Sequence, residues 1–269
     1  MSARLSDQVA VVTGAGRGLG RSVAAGFLRE GATVVAAARS ERELASLAAE
    51  ASCPERLVTM AGDLADDAFA REVVRAASEV RGRVGILVNN AAILEPRRFR
   101  EMGLDEFDRT LRVNFRAPVV LAHAVLPLMA GQGGGSIINV GSAASYRGFD
   151  GETHYCAAKF GLEGFSEALA LEARDENVAV NRLTPGFLIK PTSVTLAEAA
   201  SYPAETRAAW QDPAPMVDAF TYLGLQDGAG VTGFLFDAFA LAEQVRAHGW
   251  DARYEPRGDR TGRTVVRVA

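Results

Sequence analysis

Apolar residues in this chain follow two alternating rhythms. Short, nearly unbroken apolar runs at 9–13, 33–37, 56–60, 86–89, 136–140 and 178–183 predict strands. Longer stretches between them repeat apolar residues at intervals of three and four, and predict helices over 19–30, 41–51, 66–81, 105–130 and 152–174. Gly31 and Gly82 stand just past two of these helices as stop signals, and Pro118 marks a bend in the fourth. Short buried strands separated by helices of ten or more residues imply βαβ units and a parallel sheet covered on both faces. Right-handed crossovers then leave an α/β doubly wound sheet as the simplest topology, with ligands beyond the carboxyl ends of the strands.

The rhythm weakens over 190–215, where Pro191, Pro203, Pro213 and Pro215 interrupt it. A long loop with short helices, placed after a strand's carboxyl end, is positioned to serve as a substrate lid; a surface insertion without a role is the other reading. A short strand after Val231 and a helix over 237–248 follow. The Arg-rich stretch 251–269 reads as a solvated tail. No repeat divides the chain, so a single domain over 1–269 is expected.

Composition narrows the picture. Of the 269 residues, 48% are hydrophobic and 23% charged, enough to build a large core and too apolar for wholesale disorder. A net charge of -4 gives no electrostatic reason to expect nucleic acid as a partner. Cys53 and Cys156 are too few for a disulfide framework, and CxxC and HExxH sets are lacking, so no metal site and a reduced, cytoplasmic setting are expected. The start of the chain lacks a basic segment followed by a long apolar one, and no uncharged apolar run reaches 18 residues, so no signal peptide and no membrane association are expected. Among the basic residues only Lys159 and Lys190 are lysines.

Three places carry candidate chemistry. Thr13-Gly14-Ala15-Gly16-Arg17-Gly18-Leu19-Gly20 lies between a strand and a helix, where glycines permit a tight turn and free helix N–H groups meet a diphosphate. The second strand ends Ala37-Ala38-Arg39-Ser40, without the acid that would bind adenosine ribose hydroxyls. Arg39 can fork onto a 2′-phosphate, Ser40 can add a hydroxyl and Arg17 a second cation, which points to NADP(H). In Tyr155-Cys156-Ala157-Ala158-Lys159, the spacing of four puts phenol and ammonium on one helix face, about 5–6 Å apart. A cation about 5 Å away at an effective dielectric near 20 favours phenolate by roughly 3 kcal/mol. That is a lowering of about two pKa units, enough to make Tyr155 a working acid–base group.

With these residues in place the chain resembles the short-chain dehydrogenase/reductase family, from about Val9 to Pro191. Residues 13–20 resemble its TGxxxGxG turn, and Asp63-Leu64 the pair that touches adenine. Asn89-Asn90-Ala91 resembles its NNAG motif, with Ala92 in place of the last Gly. Ser142 stands thirteen residues before Tyr155, the family's spacing for its catalytic serine, and Asn114 resembles the asparagine that anchors a relay water. Pro185-Gly186 resembles the pair beside the nicotinamide.

The resemblance implies a Rossmann fold and hydride exchange between NADP(H) and a small carbonyl or alcohol substrate, nearest to 3-ketoacyl reduction. Ser142 would bond the substrate oxygen, Tyr155 would exchange its proton, Lys159 would lower the Tyr155 pKa and hold the nicotinamide ribose, and Asn114 would order the water. Cofactor contacts would come from Gly14, Arg17, Gly18, Leu19, Gly20, Arg39, Ser40, Asp63, Leu64, Asn90, Ala91, Tyr155, Lys159, Pro185, Gly186 and the main chain of Leu188. A homodimer or homotetramer is implied as well. The alternative is an NADP(H)-binding regulatory or scaffold protein without turnover, which has no need of the Ser142, Tyr155, Lys159 and Asn114 set.

Two departures stand out. Lys190 occupies the place, five residues beyond Pro185, where the family often has a Thr, and the usual ending after Val231-Thr232-Gly233 is replaced. Phe149, Phe187, Leu188 and Trp210 are candidates for an apolar substrate wall. His154 and Cys156 read as packing residues beside Tyr155, and His123, in an apolar helix, as core.

Overall fold

The computed structural model of the protein describes residues 3–185, 189, 190, 194–258 and 261–268. Strands β1 (Val9–Thr13), β2 (Thr33–Ala38), β3 (Leu57–Ala61), β4 (Ile86–Asn89), β5 (Gly135–Val140), β6 (Val178–Thr184) and β7 (Leu235–Asp237) form one parallel sheet in the order β3-β2-β1-β4-β5-β6-β7. The chain steps outward from β1 to β3, then crosses back to set β4 beside β1. This reversal opens a crevice at the carboxyl ends of β1 and β4, the place where such sheets bind ligands.

The apolar runs become strands because both faces are covered. Every residue of β1, β4 and β6 is buried. Helices α1 (Gly18–Arg29), α2 (Glu41–Glu50), α9 (Val217–Gly224) and α10 (Ala238–His248) cover one face, through Phe27, Leu44, Phe220 and Leu241. Helices α3 (Asp67–Arg81), α4 (Leu104–Leu111), α5 (Ala117–Gly131) and α6 (Thr153–Ala173) lie on the other, with Val73, Leu121, Val125 and Ala170 in the core. The expectation of full cover fails at β3, an edge strand whose Val58 and Thr59 are exposed.

The helix expected over 105–130 is interrupted before Pro118. A π turn at Arg112–Arg116 separates α4 from α5, and Pro118 sits at the start of α5, where its missing N–H costs nothing. The stretch Leu104–Gly131 has the length and apolarity of a membrane span. Ala117, Val120, Leu121, Val125 and Met129 of this stretch face the core, while Leu104 and Leu128 are exposed. His123 on this helix is exposed, correcting its reading as core.

The segment after β6 contains two short helices, α7 (Leu196–Ser201) and α8 (Ala204–Ala208), as expected of an interrupted loop. Helix α9 has no counterpart among the expected elements. Its residues Phe220–Gly224 are all buried, so it shows no polar face to reveal a helical period.

The largest correction concerns the C-terminus. Residues read as a solvated tail form an antiparallel hairpin of β8 (Arg253–Arg257) and β9 (Thr264–Val268). Tyr254 is fully buried and meets the Tyr222 ring edge-to-face, with centroids 5.1 Å apart. The Tyr222 hydroxyl donates to the Ala252 carbonyl (3.1 Å) and accepts from the Tyr254 N–H (3.3 Å), while the Tyr254 hydroxyl donates to the Gly249 carbonyl (2.6 Å). The Gly262 carbonyl accepts the Asp237 N–H at the end of β7 (2.9 Å). In each strand one apolar residue is buried, Tyr254 in β8 and Val265 in β9, while Arg253, Arg257 and Arg267 are exposed. Tyr254→Ala should therefore cost about 3–5 kcal/mol in urea unfolding; a change below about 0.5 kcal/mol, the ordinary value for a surface site, would return this segment to the status of a tail.

Candidate active site

The glycine turn builds one wall of the crevice. Gly14 has φ +66°, and a Cβ there would lie 2.9 Å from the Ala91 Cα. A Cβ at Gly20 would come within 2.3 Å of the Gly14 carbonyl oxygen, so the helix can approach the turn this closely only as glycine. Thr13 ties the turn to the loop after β4: its hydroxyl oxygen accepts the Asn90 N–H (3.0 Å) and the Ala91 N–H (3.1 Å). Asn90 Nδ2 donates back to the Thr13 carbonyl (2.8 Å). This is a structural use of Asn90 that also sets it at the cleft wall.

The cleft has about 380 Å³ of open volume. The candidate cofactor residues Gly14, Arg17, Gly18, Leu19, Gly20, Arg39, Ser40, Asp63, Leu64, Asn90 and Ala91 all line it. Helix α1 starts there with no side-chain cap on its first-turn N–H groups, and the Gly18 Cβ position faces open space. Free amides and a positive helix end suit a diphosphate. These features fit a bound nicotinamide dinucleotide.

At the outer end, Arg39 is exposed and Ser40 caps α2, its Oγ accepting the Glu43 N–H at 3.2 Å. Asp63 lies within 2.7 Å of Arg109 and accepts the Ala65 N–H at 3.0 Å. Burial acts against its charge, but these bonds outweigh it and hold the carboxyl below the ordinary range. An acid that the strand-end reading missed also enters the cleft. Glu43 pairs with Arg17 at 3.3 Å, so Arg17 is not simply presented to a ligand. The Ser40-x-x-Glu43 spacing carried the signal, because a helix-start glutamate three residues after its cap folds back toward the strand end.

Ser142, Tyr155, Lys159 and Asn114 are not among the residues that line the cleft. Ser142, two residues past β5, caps the short turn that follows, its Oγ accepting the Ala144 N–H (3.2 Å). Its hydroxyl is close enough to the Tyr155 phenol to favour the ionised form of that group. Tyr155 and Lys159 occupy one face of α6 as the spacing predicts, with Lys159 Nζ 5.7 Å from the centre of the Tyr155 ring. Lys159 is buried, and its Nζ donates to the Val140 carbonyl at 2.7 Å. Asn114 lies in the π turn, fully buried. Its Oδ1 accepts the Ile93 N–H and its Nδ2 donates to the Ile93 carbonyl, each at 2.8 Å. Ile93 lines the cleft, so this clamp joins the two halves of the site.

The expected electrostatics are corrected in sign. Burial pushes the Tyr155 phenol up to about 12, opposed by the neighbouring Ser142 hydroxyl and reinforced by Glu152. Burial also brings Lys159 down to about 8. Desolvation of the phenolate exceeds the attraction of the neighbouring ammonium, which the Val140 carbonyl already engages. At neutral pH the resting pair is a neutral phenol beside a charged lysine.

Several neighbours behave differently from one another. His154 is buried with Nδ1 unpartnered, and burial lowers its pKa. Cys156 turns away, its Sγ 3.8 Å from the Arg147 carbonyl. Phe149 packs under Arg147, and Trp210 meets Tyr202 at 5.4 Å, so neither is shown beside Tyr155. Pro185 follows β6, half-buried. Gly186, Phe187 and Leu188 lie outside the described residues. Lys190, by contrast, lines the cleft.

Lys159 should leave a signature in stability. Its folded pKa of about 8 lies below the ordinary 10.5, so between these values the unfolded chain binds the extra proton and the native state gains stability as pH rises. In urea melts at pH 7.5 and 9.5, wild type should gain relative to Lys159→Met at the higher pH. A constant difference, or one moving the other way, contradicts a desolvated lysine.

Comparison with known proteins agrees with this architecture. Residues 8–200 match the family model described as short chain dehydrogenase. The 3-oxoacyl-(acyl-carrier-protein) reductase FabG of Thermotoga maritima is 32% identical over 86% of this chain and 95% of that protein. The L-xylulose reductase of Bos taurus is 34% identical over 79% of this chain and 80% of its own. A metagenomic short-chain oxidoreductase solved in complex with NADP superposes with a TM-score of 0.73 at 28% identity, covering 86% of this chain and 96% of that one. The matched span carries the glycine turn, the π-turn asparagine and the Ser142, Tyr155 and Lys159 set, and the chain belongs to the short-chain dehydrogenase family of oxidoreductases.

Proposed function

We propose that this protein interconverts a ketone and a secondary alcohol with NADP(H), using Ser142, Tyr155, Lys159 and Asn114. The observation that carries the reading is the buried Tyr155, paired along α6 with a desolvated Lys159 whose Nζ stands 5.7 Å from its ring centre, with Ser142 beside the phenol. A nicotinamide held in the cleft supplies or removes the hydride at the carbon of the substrate.

The residues of the chain handle the oxygen. In reduction Tyr155, protonated at neutral pH, donates its proton to the substrate oxygen while Ser142 donates a hydrogen bond to the same atom. The phenolate left on Tyr155 forms beside the Lys159 ammonium, which stabilises that charge as it appears rather than in the resting state. In oxidation the direction reverses. The Asn114 side chain is spent on Ile93, so a relay water would meet the main chain of the π turn, a local irregularity common at functional sites.

NADP(H) is favoured over NAD(H) by charge. Arg39 is exposed at the end of β2 beside Ser40, while two acids that line this end of the cleft are paired, Glu43 with Arg17 and Asp63 with Arg109. A 2′-phosphate would meet the Arg39 fork at this end of the cleft. The contact from Gly186 and the Leu188 main chain, a lid over 190–215, assembly as a homodimer or homotetramer and a cytoplasmic setting belong to the same reading. The names of the two reductase relatives support a carbonyl substrate, 3-oxoacyl thioesters first among them.

A panel of ketones and alcohols, followed by nicotinamide absorbance, tests this directly. Tyr155→Phe should lower kcat by about 10²–10⁴-fold while NADPH binding persists; unchanged turnover would remove Tyr155 from the chemistry. Arg39→Asp should raise the KM for NADPH at least tenfold and leave that for NADH little changed, since a charge-assisted hydrogen bond contributes about 1.5–3 kcal/mol. Equal or better wild-type kcat/KM with NADH would defeat the NADP(H) assignment.

A further inference from the structure

Lys190 enters the cleft from a different part of the chain than the glycine turn. It follows the β6 exit and lines the cleft with Ile189, Arg17, Gly18 and Leu19. It is half-buried, and its amine donates to the Val194 carbonyl just before α7. Burial acts against its charge first, and Arg17 adds to this, while Glu43 and Glu198 favour it. Two cations therefore converge on one partly desolvated space, beside uncapped amides of α1. An anion seated between them relieves their repulsion and meets three sets of donors at once.

Which phosphate would sit there follows from the sheet. Arg39 and Ser40 follow β2, whereas Lys190 reaches the cleft from the chain after β6 and stands near Arg17 of the glycine turn. The uncapped amides at the start of α1 line the same cleft beside that turn. We propose that Lys190 is a cofactor-binding residue that grips the diphosphate bridge together with the α1 N-terminus, in a cleft where Arg39 reads the 2′-phosphate. This rests on the proposed function. It divides cofactor recognition between a lysine indifferent to the 2′-phosphate and an arginine specific to it.

The test is direct binding of NADPH, NADH and ADP to the full-length protein by titration calorimetry, for wild type, Lys190→Gln, Lys190→Thr and Lys190→Arg. ADP carries a diphosphate with neither the 2′-phosphate nor the nicotinamide. Both neutral variants should weaken all three ligands by a similar factor, about tenfold. Lys190→Arg should retain most of the affinity. Raising KCl should weaken binding to wild type more steeply than to Lys190→Gln, a difference that local damage to the fold would not produce. Unchanged affinities in both neutral variants overturn the assignment and leave the proposed function standing. Loss confined to NADPH overturns it too, by moving Lys190 to the 2′-phosphate. Wild type binding none of the three would remove the proposed function itself, and this inference with it.

Discussion

The site depends on the cost of taking two titratable groups out of water together. Lys159 is buried against the Val140 carbonyl at the end of β5, and Tyr155 is buried one turn away on α6. Burial acts against the charged form of both: the phenol stays protonated, and the ammonium loses its proton more readily than in water. Only a rigid frame tolerates this. The parallel sheet provides one, since β4, β5 and β6 are buried along nearly their whole length and fix the carboxyl ends from which the site is built.

That frame also links the cleft to Ser142, Tyr155 and Lys159, although these residues do not line it. Thr13 and Asn90 tie the glycine turn to the loop after β4, and Asn114 clamps the same loop at Ile93 from the π turn. The end of β1 and one distorted helix thus converge on residues 89–93, the exit of β4. A small shift in that loop would move the cleft wall and the substrate side together, which makes the buried Asn114 a structural member of the site before any chemical role.

Much of this was legible in the sequence because it is local. The glycine turn, the Tyr155–Lys159 spacing and the apolar runs of β1 to β6 depend on neighbours a few residues away, and all of them fold as their patterns imply. The losses are tertiary. A helix buried on every side, α9, shows no period, and the hairpin of β8 and β9 is stabilised by Tyr222, some thirty residues distant in the chain. Glu43 carried a helix-start signal, but that it pairs with Arg17 inside the cleft follows only from the meeting of α1 and α2. The direction of the Tyr155 shift was misjudged for the same reason: the attraction of a cation one turn away can be read from spacing, whereas desolvation is a property of the whole surrounding fold.

The central claim is that Tyr155 rests as a neutral phenol and is therefore a proton donor at physiological pH. An ultraviolet difference titration of tyrosinate, wild type minus Tyr155→Phe, measures this without turnover. The account predicts no Tyr155 ionisation in the ligand-free protein below about pH 11, in keeping with a phenol pushed up to about 12. A tyrosinate signal assigned to Tyr155 between pH 7 and 9 would contradict it.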